Sequence, residues 1–255
     1  MKRKEEIQMT LLPRVLVNAM PKNGTHLLLS TLANMTGFSD SQAKQVHWGK
    51  NNREQALATL EKTLPGQYSK AHLPFNQRII NFLMEHDFRV LNMQRDPRDN
   101  VVSLLFYIRR YQHHPFHPVL DGFDDDEALM MLINGFEGLP RFNSIDKRLQ
   151  NWLGWFDHPY CLTVRFENLI GESGGGSRLQ QQQQLVAILS YLGCGCPEDK
   201  VSGLAEKIIN QKSHSFRKGQ IGDWKNHFKA AHSARFKALA NDFLLRYGYE
   251  QDCDW

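Results

Sequence analysis

Lys22 and Gly24 lie in a short loop, "PKNGTH" (21 to 26), that joins an apolar run to a stretch with helical spacing. A loop that leads from a strand into a helix presents unpaired backbone N–H groups, and the helix dipole adds positive potential there. Gly24 lets the backbone close around an anion, Lys22 supplies a charge and Thr25 supplies a hydroxyl group. The pattern predicts a phosphate-binding loop.

The order of residues in this loop differs from that of a magnesium-nucleotide loop. In G-x-x-x-x-G-K-[ST] the lysine follows the second glycine, and the adjacent Ser or Thr binds magnesium. Here Lys22 precedes Gly24, so a magnesium nucleotide is disfavoured. We expect an anion site that uses no metal ion.

A second basic motif, "RDPRDNVVS", runs from Arg95 to Ser103. Arg95 ends a strand-like run, and Pro97 is suited to begin a helix. Ser103 then lies about two turns along that helix. Arg95 and Ser103 are therefore candidates for a second phosphate at the carboxyl edge of the sheet.

A third basic motif, "FRKGQIGDWKNHF" (216 to 228), has two adjacent cations, Arg217 and Lys218, followed by Gly219. Adjacent cations in a glycine-containing turn suit a phosphate clamp. Three separated anion motifs favour one ligand with more than one phosphate group.

The elements that must position these motifs follow from hydropathy. Strand-like runs cover 14 to 20, 67 to 73, 88 to 95 and 160 to 166, and amphipathic stretches such as 75 to 86 separate or follow them. Alternating strands and helices predict an α/β fold, with a central, mostly parallel sheet flanked by helices. We expect one domain over residues 1–255. We interpret 107–126 as irregular chain. In 171–184 we interpret the glycines and serines as a mobile surface loop and the Gln run as solvated residues that enter a helix.

Composition narrows the class of protein. A net charge of +4, from 31 Lys and Arg against 27 Asp and Glu, gives little support for nucleic-acid binding. Glu5, Glu6 and Pro13 interrupt the start of the chain, so we expect neither a secretory signal nor a membrane anchor, and a cytoplasmic location. The four cysteines are few and unevenly spaced, which indicates reduced thiols and neither a disulfide nor a metal site.

The three motifs, in this order and setting, resemble those of sulfotransferases that use 3'-phosphoadenosine 5'-phosphosulfate (PAPS). The loop at 21 to 26 is similar to their 5'-phosphosulfate loop, "RDPRDNVVS" to their 3'-phosphate motif and "RKGQIGDWKNHF" to their C-terminal signature. The resemblance implies a P-loop-like strand-loop-helix and two sets of PAPS-binding residues. The first is Lys22, Asn23, Gly24, Thr25 and His26 for the phosphosulfate; the second is Arg95, Ser103, Arg217, Lys218 and Gly219 for the 3'-phosphate.

The segment "YSKAHLPF" (68 to 75) is similar to the family's K-T-H-L-P segment, which carries a catalytic histidine. That match makes His72 the candidate general base, because an imidazole near neutral pKa can accept the proton of an attacking hydroxyl group. Lys22 and Lys70 are the candidates for neutralising charge on the leaving phosphate. His26 and Glu85 are the next candidates for the base.

The sequence also departs from the family pattern. The family's phosphate loop commonly continues Thr-Thr-Trp, with the Trp on adenine, whereas this chain reads Thr25-His26-Leu27. Phe166, in "VRFENL", matches a position where relatives often carry an aromatic near adenine, and a buried strand Phe is the alternative. The family's dimer segment has no clear counterpart after Lys225, which leaves the oligomeric state open.

The resemblance implies a soluble enzyme that sulfates a hydroxyl group, or an amine, of a small molecule. A nucleotide or nucleoside kinase and a noncatalytic adenosine-phosphate-binding module are the alternatives from other classes. The acidic run within 113 to 136 reads as a solvated helix start, although it would also favour a cationic acceptor.

Overall fold

The computed structural model describes residues 12–49, 52–136, 138–139, 142–208 and 217–255. Glu5, Glu6 and Phe216, which entered the sequence predictions, lie outside these ranges. None of the helices in the described ranges combines the length and the apolar character that a bilayer crossing requires.

The described chain forms a six-stranded sheet in which every pairing is parallel. The strands are β1 (Arg14–Ala19), β2 (Ser39–Asp40), β3 (Val46–His47), β4 (Gln67–His72), β5 (Phe88–Gln94) and β6 (Cys161–Arg165). Their order is β2-β4-β1-β5-β6, and β3 pairs with β4. Because β1 lies between β4 and β5, the carboxyl ends of these three strands are neighbours, which is where α/β sheets bind ligands.

Helices cover both faces of the sheet. They are α1 (Thr25–Ala33), α2 (Arg53–Glu61), α3 (Gln77–Glu85), α4 (Pro97–Arg110), α5 (His117–Leu120), α6 (Asp125–Asn134), α7 (Ile145–Phe156), α8 (Phe166–Leu169), α9 (Arg178–Tyr191), α10 (Glu198–Lys207) and α11 (Ala230–Arg246). Along β1, Leu16 belongs to one buried cluster, while Val15 and Val17 belong to another. This alternation places a separate core on each face. The predicted α/β fold with a parallel sheet is confirmed.

The predicted boundaries fail in two segments. Residues 107–126 are not irregular throughout, because α4 continues to Arg110 and α5 forms a further turn of helix. The acidic run does begin a helix, as predicted, since Asp124 and Glu127 form a capping box at the start of α6.

The interpretation of 171–184 is wrong in part: the Gln run does enter a helix, as predicted, but not all of its residues are solvated. Helix α9 begins at Arg178, and Gln181 and Gln184 are buried, where they bond the Leu169 carbonyl and the Arg165 N–H group. Gly174 is buried as well, and a Cβ there would lie 2.5 Å from the Gly219 carbonyl oxygen. The glycine segment is therefore packed beneath the third basic motif.

Candidate active site

The loop between β1 and α1 is held from below by neutral amide groups. Asn23, which is 1% exposed, donates to the Met93 carbonyl at 3.1 Å and accepts from Asn100 at 2.8 Å. Asn100 also donates to the Pro21 carbonyl at 2.7 Å. The side chain of Asn23 thus fixes the loop to the end of β5 and to α4. Because these bonds occupy the Asn23 side chain, a ligand of the loop would contact backbone groups and neighbouring side chains.

Two residues give this loop its shape. Lys22 and Gly24 have positive φ values of 72° and 100°, and Gly24 caps α1 with no side-chain hydrogen bond. A Cβ on Gly24 would lie 2.5 Å from Phe166 Cδ2, so only glycine fits there. The first N–H groups of α1, from Thr25 and His26 onward, consequently face outward at the mouth of the loop.

Cations from all three basic motifs converge on this loop. Burial, and to a smaller extent repulsion from Arg95, Arg217 and Arg110, together lower the pKa of Lys22 to about 8. The Lys22 ammonium group lies 4.1 Å from the centre of the Tyr107 ring. Among the described residues, no carboxylate hydrogen-bonds to Lys22. The charge of Lys22 is therefore not neutralised by a hydrogen-bonded carboxylate of the described chain, and the neighbouring arginines disfavour it.

Arg95 joins two parts of this cluster. Its guanidinium group donates to the Lys22 carbonyl at 3.2 Å and to the Gln220 carbonyl at 3.3 Å, and it lies 4.2 Å from the centre of the Phe166 ring. Its Nε atom is buried without a hydrogen-bond partner in the described chain. Phe166 is itself buried at the start of α8, directly after β6. The adenine contact stays a prediction; the observed contacts of Phe166 are with Arg95 and Gly24.

The turn that carries Arg217 and Lys218 is supported by carboxylates. Both cations donate to the buried carboxylate of Asp223, Lys218 at 2.9 Å. Although burial raises its pKa, the bonds from Lys218 and Arg217 hold the pKa of Asp223 well below its usual range. Asp99 of α4 accepts the N–H groups of Gly222 and Trp224 at 2.8 and 2.9 Å. The turn is thereby fastened to α4.

Helix α4 connects the loop with Lys22 to the turn with Arg217. Phe106 lies under the Arg217 guanidinium, 4.7 Å from ring centre to carbon, and Tyr107 lies under Lys22. Ser103, which is half-buried, precedes these two residues by one turn, so it shares their side of the helix. The structure thus brings together Lys22, Arg95 and Arg217, from motifs far apart in the sequence, and places Ser103 on the side of α4 that Phe106 and Tyr107 share.

Arg98, the second arginine of "RDPRD", has a structural role that the sequence analysis missed. It is 2% exposed, bonds Asp96 at 2.7 Å and also pairs with Glu250. Its guanidinium lies 4.1 Å from the centre of the Trp224 ring and 4.4 Å from that of Trp255. The Trp of "GDW" is the sequence signal for this contact, because a tryptophan face is a good partner for arginine.

His72 lies at the carboxyl end of β4, beside the Lys22 loop. Its Nδ1 atom is 2.6 Å from the Ala19 carbonyl oxygen, which can only accept, so Nδ1 carries the proton and Nε2 keeps its lone pair. Burial lowers the pKa of His72, the hydrogen bond to the Ala19 carbonyl opposes this, and the nearby His47, His26 and Lys22 add to the lowering, so that the pKa is about 4. The imidazole is therefore neutral at pH 7, with Nε2 able to accept a proton.

The other candidate residues have different surroundings. Lys70 pairs with Asp40 at 3.4 Å, with both side chains part-exposed. His26 is exposed at the start of α1. Glu85 ends α3 just before β5 begins, at the amino edge of the sheet. Since His72 is at the carboxyl edge, the prediction of Glu85 as an alternative base is wrong.

Comparison with known proteins gives consistent results. A family model described as "Sulfotransferase domain" matches residues 12–198. Sulfotransferase 1A1 of Rattus norvegicus is 26% identical over 204 residues, which cover 71% of this chain and 64% of the rat protein. The match thus spans less than two thirds of that relative.

Two solved structures share the fold. A mouse sulfotransferase complexed with PAP has a TM-score of 0.66 at 16% identity, covering 91% of this chain and 84% of its own. Retinol dehydratase, in complex with androsterone and the inactive cofactor PAP, has a TM-score of 0.58 at 16% identity, covering 91% and 80%.

Proposed function

This chain belongs to the sulfotransferase domain family, and from that premise we propose that it transfers the sulfuryl group of PAPS to a hydroxyl group of a small molecule. The observation that carries the proposal is the convergence of Lys22, Arg95 and Arg217 beside a neutral imidazole at the carboxyl edge of the sheet. A ligand with phosphate groups at two ends matches this distribution of cations.

The two cationic regions suit the two ends of PAPS. The loop with Lys22 and the first N–H groups of α1 would hold the 5'-phosphosulfate, where the helix dipole favours negative charge. Arg95, Ser103 and the turn with Arg217 and Lys218 would hold the 3'-phosphate. The unpartnered buried Nε of Arg95 and the depressed pKa of Lys22 both favour a bound anion.

When bound, PAPS supplies an activated sulfuryl group on a phosphate leaving group. His72 Nε2 accepts the proton of the acceptor hydroxyl, while Nδ1–H stays bonded to the Ala19 carbonyl and fixes the ring. Negative charge beside an imidazole raises its pKa, so His72 becomes a stronger base in the loaded site than in the free protein. Lys22 stabilises the negative charge on the leaving oxygen.

Lys70 can assist Lys22 only if its side chain moves from the position it has in the free protein. In the free protein it pairs with Asp40, so a contact with the leaving phosphate requires the ammonium group to exchange one anion for another. The pair is part-exposed and therefore weak, which keeps that exchange feasible. The four cysteine thiols are unpaired, which supports the further proposal of a cytoplasmic location.

The test is a transfer assay with a panel of phenols and alcohols. Incubation with PAPS should give an acceptor product heavier by one sulfuryl group, detected by mass spectrometry. The second product should be adenosine 3',5'-bisphosphate (PAP). Incubation with ATP and Mg²⁺ should give no phosphorylated product. Phosphoryl transfer from ATP without sulfuryl transfer from PAPS would support a kinase, and binding of PAP with no transfer to any acceptor would support a noncatalytic module.

A further inference from the structure

One cation at the site has no part in the PAPS-binding scheme. Arg110, the last residue of α4, is among the charges that lower the pKa of Lys22, so it lies within electrostatic reach of that ammonium group. It is exposed, and its guanidinium lies 5.8 Å from the centre of the neighbouring Tyr111 ring. In the described chain no carboxylate forms an ion pair with it.

The adjacent Arg109 shows what a structural arginine does at this helix end. Arg109 donates to the Leu120 and Phe123 carbonyls, each at 2.6 Å, and pairs with Asp125 at 3.3 Å. It therefore ties α4 to the chain that leads into α6. Arg110 has none of these bonds; as a cation in the last turn it favours the α4 dipole, a contribution that requires no fixed orientation of its side chain.

The position of Arg110 along α4 places it on the acceptor side of the site. Ser103 is at the end assigned to the 3'-phosphate, and Tyr107, under Lys22, marks the end assigned to the phosphosulfate. Arg110 follows Tyr107 by three residues on the same side of the helix. At about 1.5 Å per residue, it lies about 10 Å along the axis from Ser103. In-line transfer requires the acceptor beyond the sulfuryl group, on the side opposite the leaving phosphate.

His114 supplies a second donor in this region. Its ring lies edge-on to Tyr107, with 5.7 Å between ring centres, and its Nδ1 accepts the Phe116 N–H at 3.2 Å. The proton of the neutral ring is therefore on Nε2. Burial lowers the pKa of His114, and the charges of His117 and Lys22 add to this, so the neutral form of the ring is favoured.

Four of the acidic residues that would have favoured a cationic acceptor, 124 to 127, are engaged in other contacts. Asp124 and Glu127 cap α6, Asp125 pairs with Arg109, and Asp126 pairs with Lys229. On the side of Lys22 that faces the end of α4, the available groups are the cation Arg110 and the hydrogen-bond donor His114, which favour an anion.

We propose that the acceptor carries an oxyanion, a carboxylate or a phosphate, in addition to the hydroxyl group that is sulfated, and that Arg110 binds this oxyanion with His114 Nε2–H as a second donor. The inference rests on the proposed sulfotransferase function and names its substrate class. Arg110 is thereby a specificity-determining residue, and the aromatic rings of Tyr107 and Phe116 suit the body of a phenolic acceptor.

The experiment uses four phenols that differ in the charge of their second group: 4-hydroxyphenylacetate, 4-hydroxyphenyl phosphate, the neutral 4-hydroxyphenylacetamide and the cationic tyramine. Calorimetry measures the binding of each to the PAP-saturated protein, and kcat/KM with PAPS is measured in parallel. The variants are Arg110→Gln and Arg110→Glu. The matched control is Arg178→Gln, which removes the charge of an exposed arginine on α9.

The unmodified protein should bind at least one of the two anions more tightly than the amide, by about ten- to a hundredfold, the size of a charge-assisted hydrogen bond. Carboxylate and phosphate are distinguished by which of the two binds more tightly. Arg110→Gln should abolish the preference, Arg110→Glu should reverse it towards tyramine, and Arg178→Gln should preserve it, with PAP affinity similar in all four proteins.

Two results would overturn the inference while the proposed function stands: equal affinity of the PAP-loaded protein for anion and amide, or an anion preference that survives Arg110→Glu. Loss of PAP binding in Arg110→Gln would assign this arginine to the cofactor instead. Failure of the unmodified protein to bind PAP would overturn the proposed function itself, and the inference with it.

Discussion

The loop at residues 20–24 and the turn at residues 217–226 both present cations, but they are supported by opposite means. The loop rests on the neutral amides of Asn23 and Asn100, and Lys22 is surrounded by other cations. In the turn, by contrast, the carboxylate of Asp223 holds both cations. Neutral support leaves the full charge of Lys22 available to a reacting group, while burial and the neighbouring arginines lower its pKa. Support by a carboxylate fixes the orientation of the cations and reduces their net charge.

We call the loop with Lys22 the reacting end of the site and the turn with Arg217 and Lys218 its holding end. His72 lies beside Lys22, so changes at this end should affect turnover. Changes in the turn should affect stability and cofactor affinity.

The largest effect is expected at the reacting end. His72→Ala should lower kcat by about a hundred- to ten-thousandfold, the usual range for loss of a general base, with the PAP dissociation constant nearly unchanged. Steady-state kinetics and calorimetry measure the two quantities. His86→Ala, at the amino edge of the sheet, is the matched control and should leave both unchanged. A similar kcat for the two variants would place the base elsewhere, with His26 the next residue to test.

The next effect concerns the support of the turn. Asp223→Asn removes a carboxylate whose side chain is 1% exposed and leaves Arg217 and Lys218 without their partner. We expect the free energy of unfolding to fall by roughly 2 kcal/mol, below the loss for a fully buried pair because both cations are part-exposed. Urea unfolding measures this change.

Asp126→Asn provides the comparison, because the Asp126–Lys229 pair is exposed to solvent and its loss should change the free energy of unfolding much less than Asp223→Asn does. Equal losses for the two variants would show that the turn does not depend on Asp223.

A smaller effect distinguishes the two ends by pH. The pKa of Lys22 is about 8 in the free protein and rises when an anion binds, so binding takes up a proton above pH 8. PAP affinity should therefore be constant at pH 6.5 to 7.5 and fall by up to about tenfold per pH unit above 8. In Lys22→Arg the cation does not titrate in this range, and the fall should disappear. A fall of equal size in both proteins would assign it to another group.

The sequence predicted the elements that depend on local pattern. The four long strands were located to within one residue at each end, because each is an apolar run bounded by turn residues. It also located the residues that converge on the loop. The supporting contacts were missed, since Asn23–Asn100 and Asp99–Trp224 join residues 77 and 125 positions apart and have no local pattern.

Arg110 and Gly174 were missed for different reasons. Arg110 was missed because the His- and Pro-rich sequence that follows it is typical of irregular chain, whereas α4 continues to Arg110. Gly174 lies in a run of glycine that is typical of a mobile loop, and only its contact with the Gly219 carbonyl explains the small residue. In both cases the deciding information is the packing against a distant segment.

The central claim is that the two ends bind one ligand with phosphates at both the 5' and 3' positions. The most direct test compares the dissociation constants of PAP and AMP, which differ only in the 3'-phosphate, by calorimetry at pH 7. Several charge-assisted hydrogen bonds to that phosphate should make PAP bind at least about a hundredfold more tightly, and Arg95→Ala should remove most of the difference. Equal affinity for PAP and AMP would contradict the account.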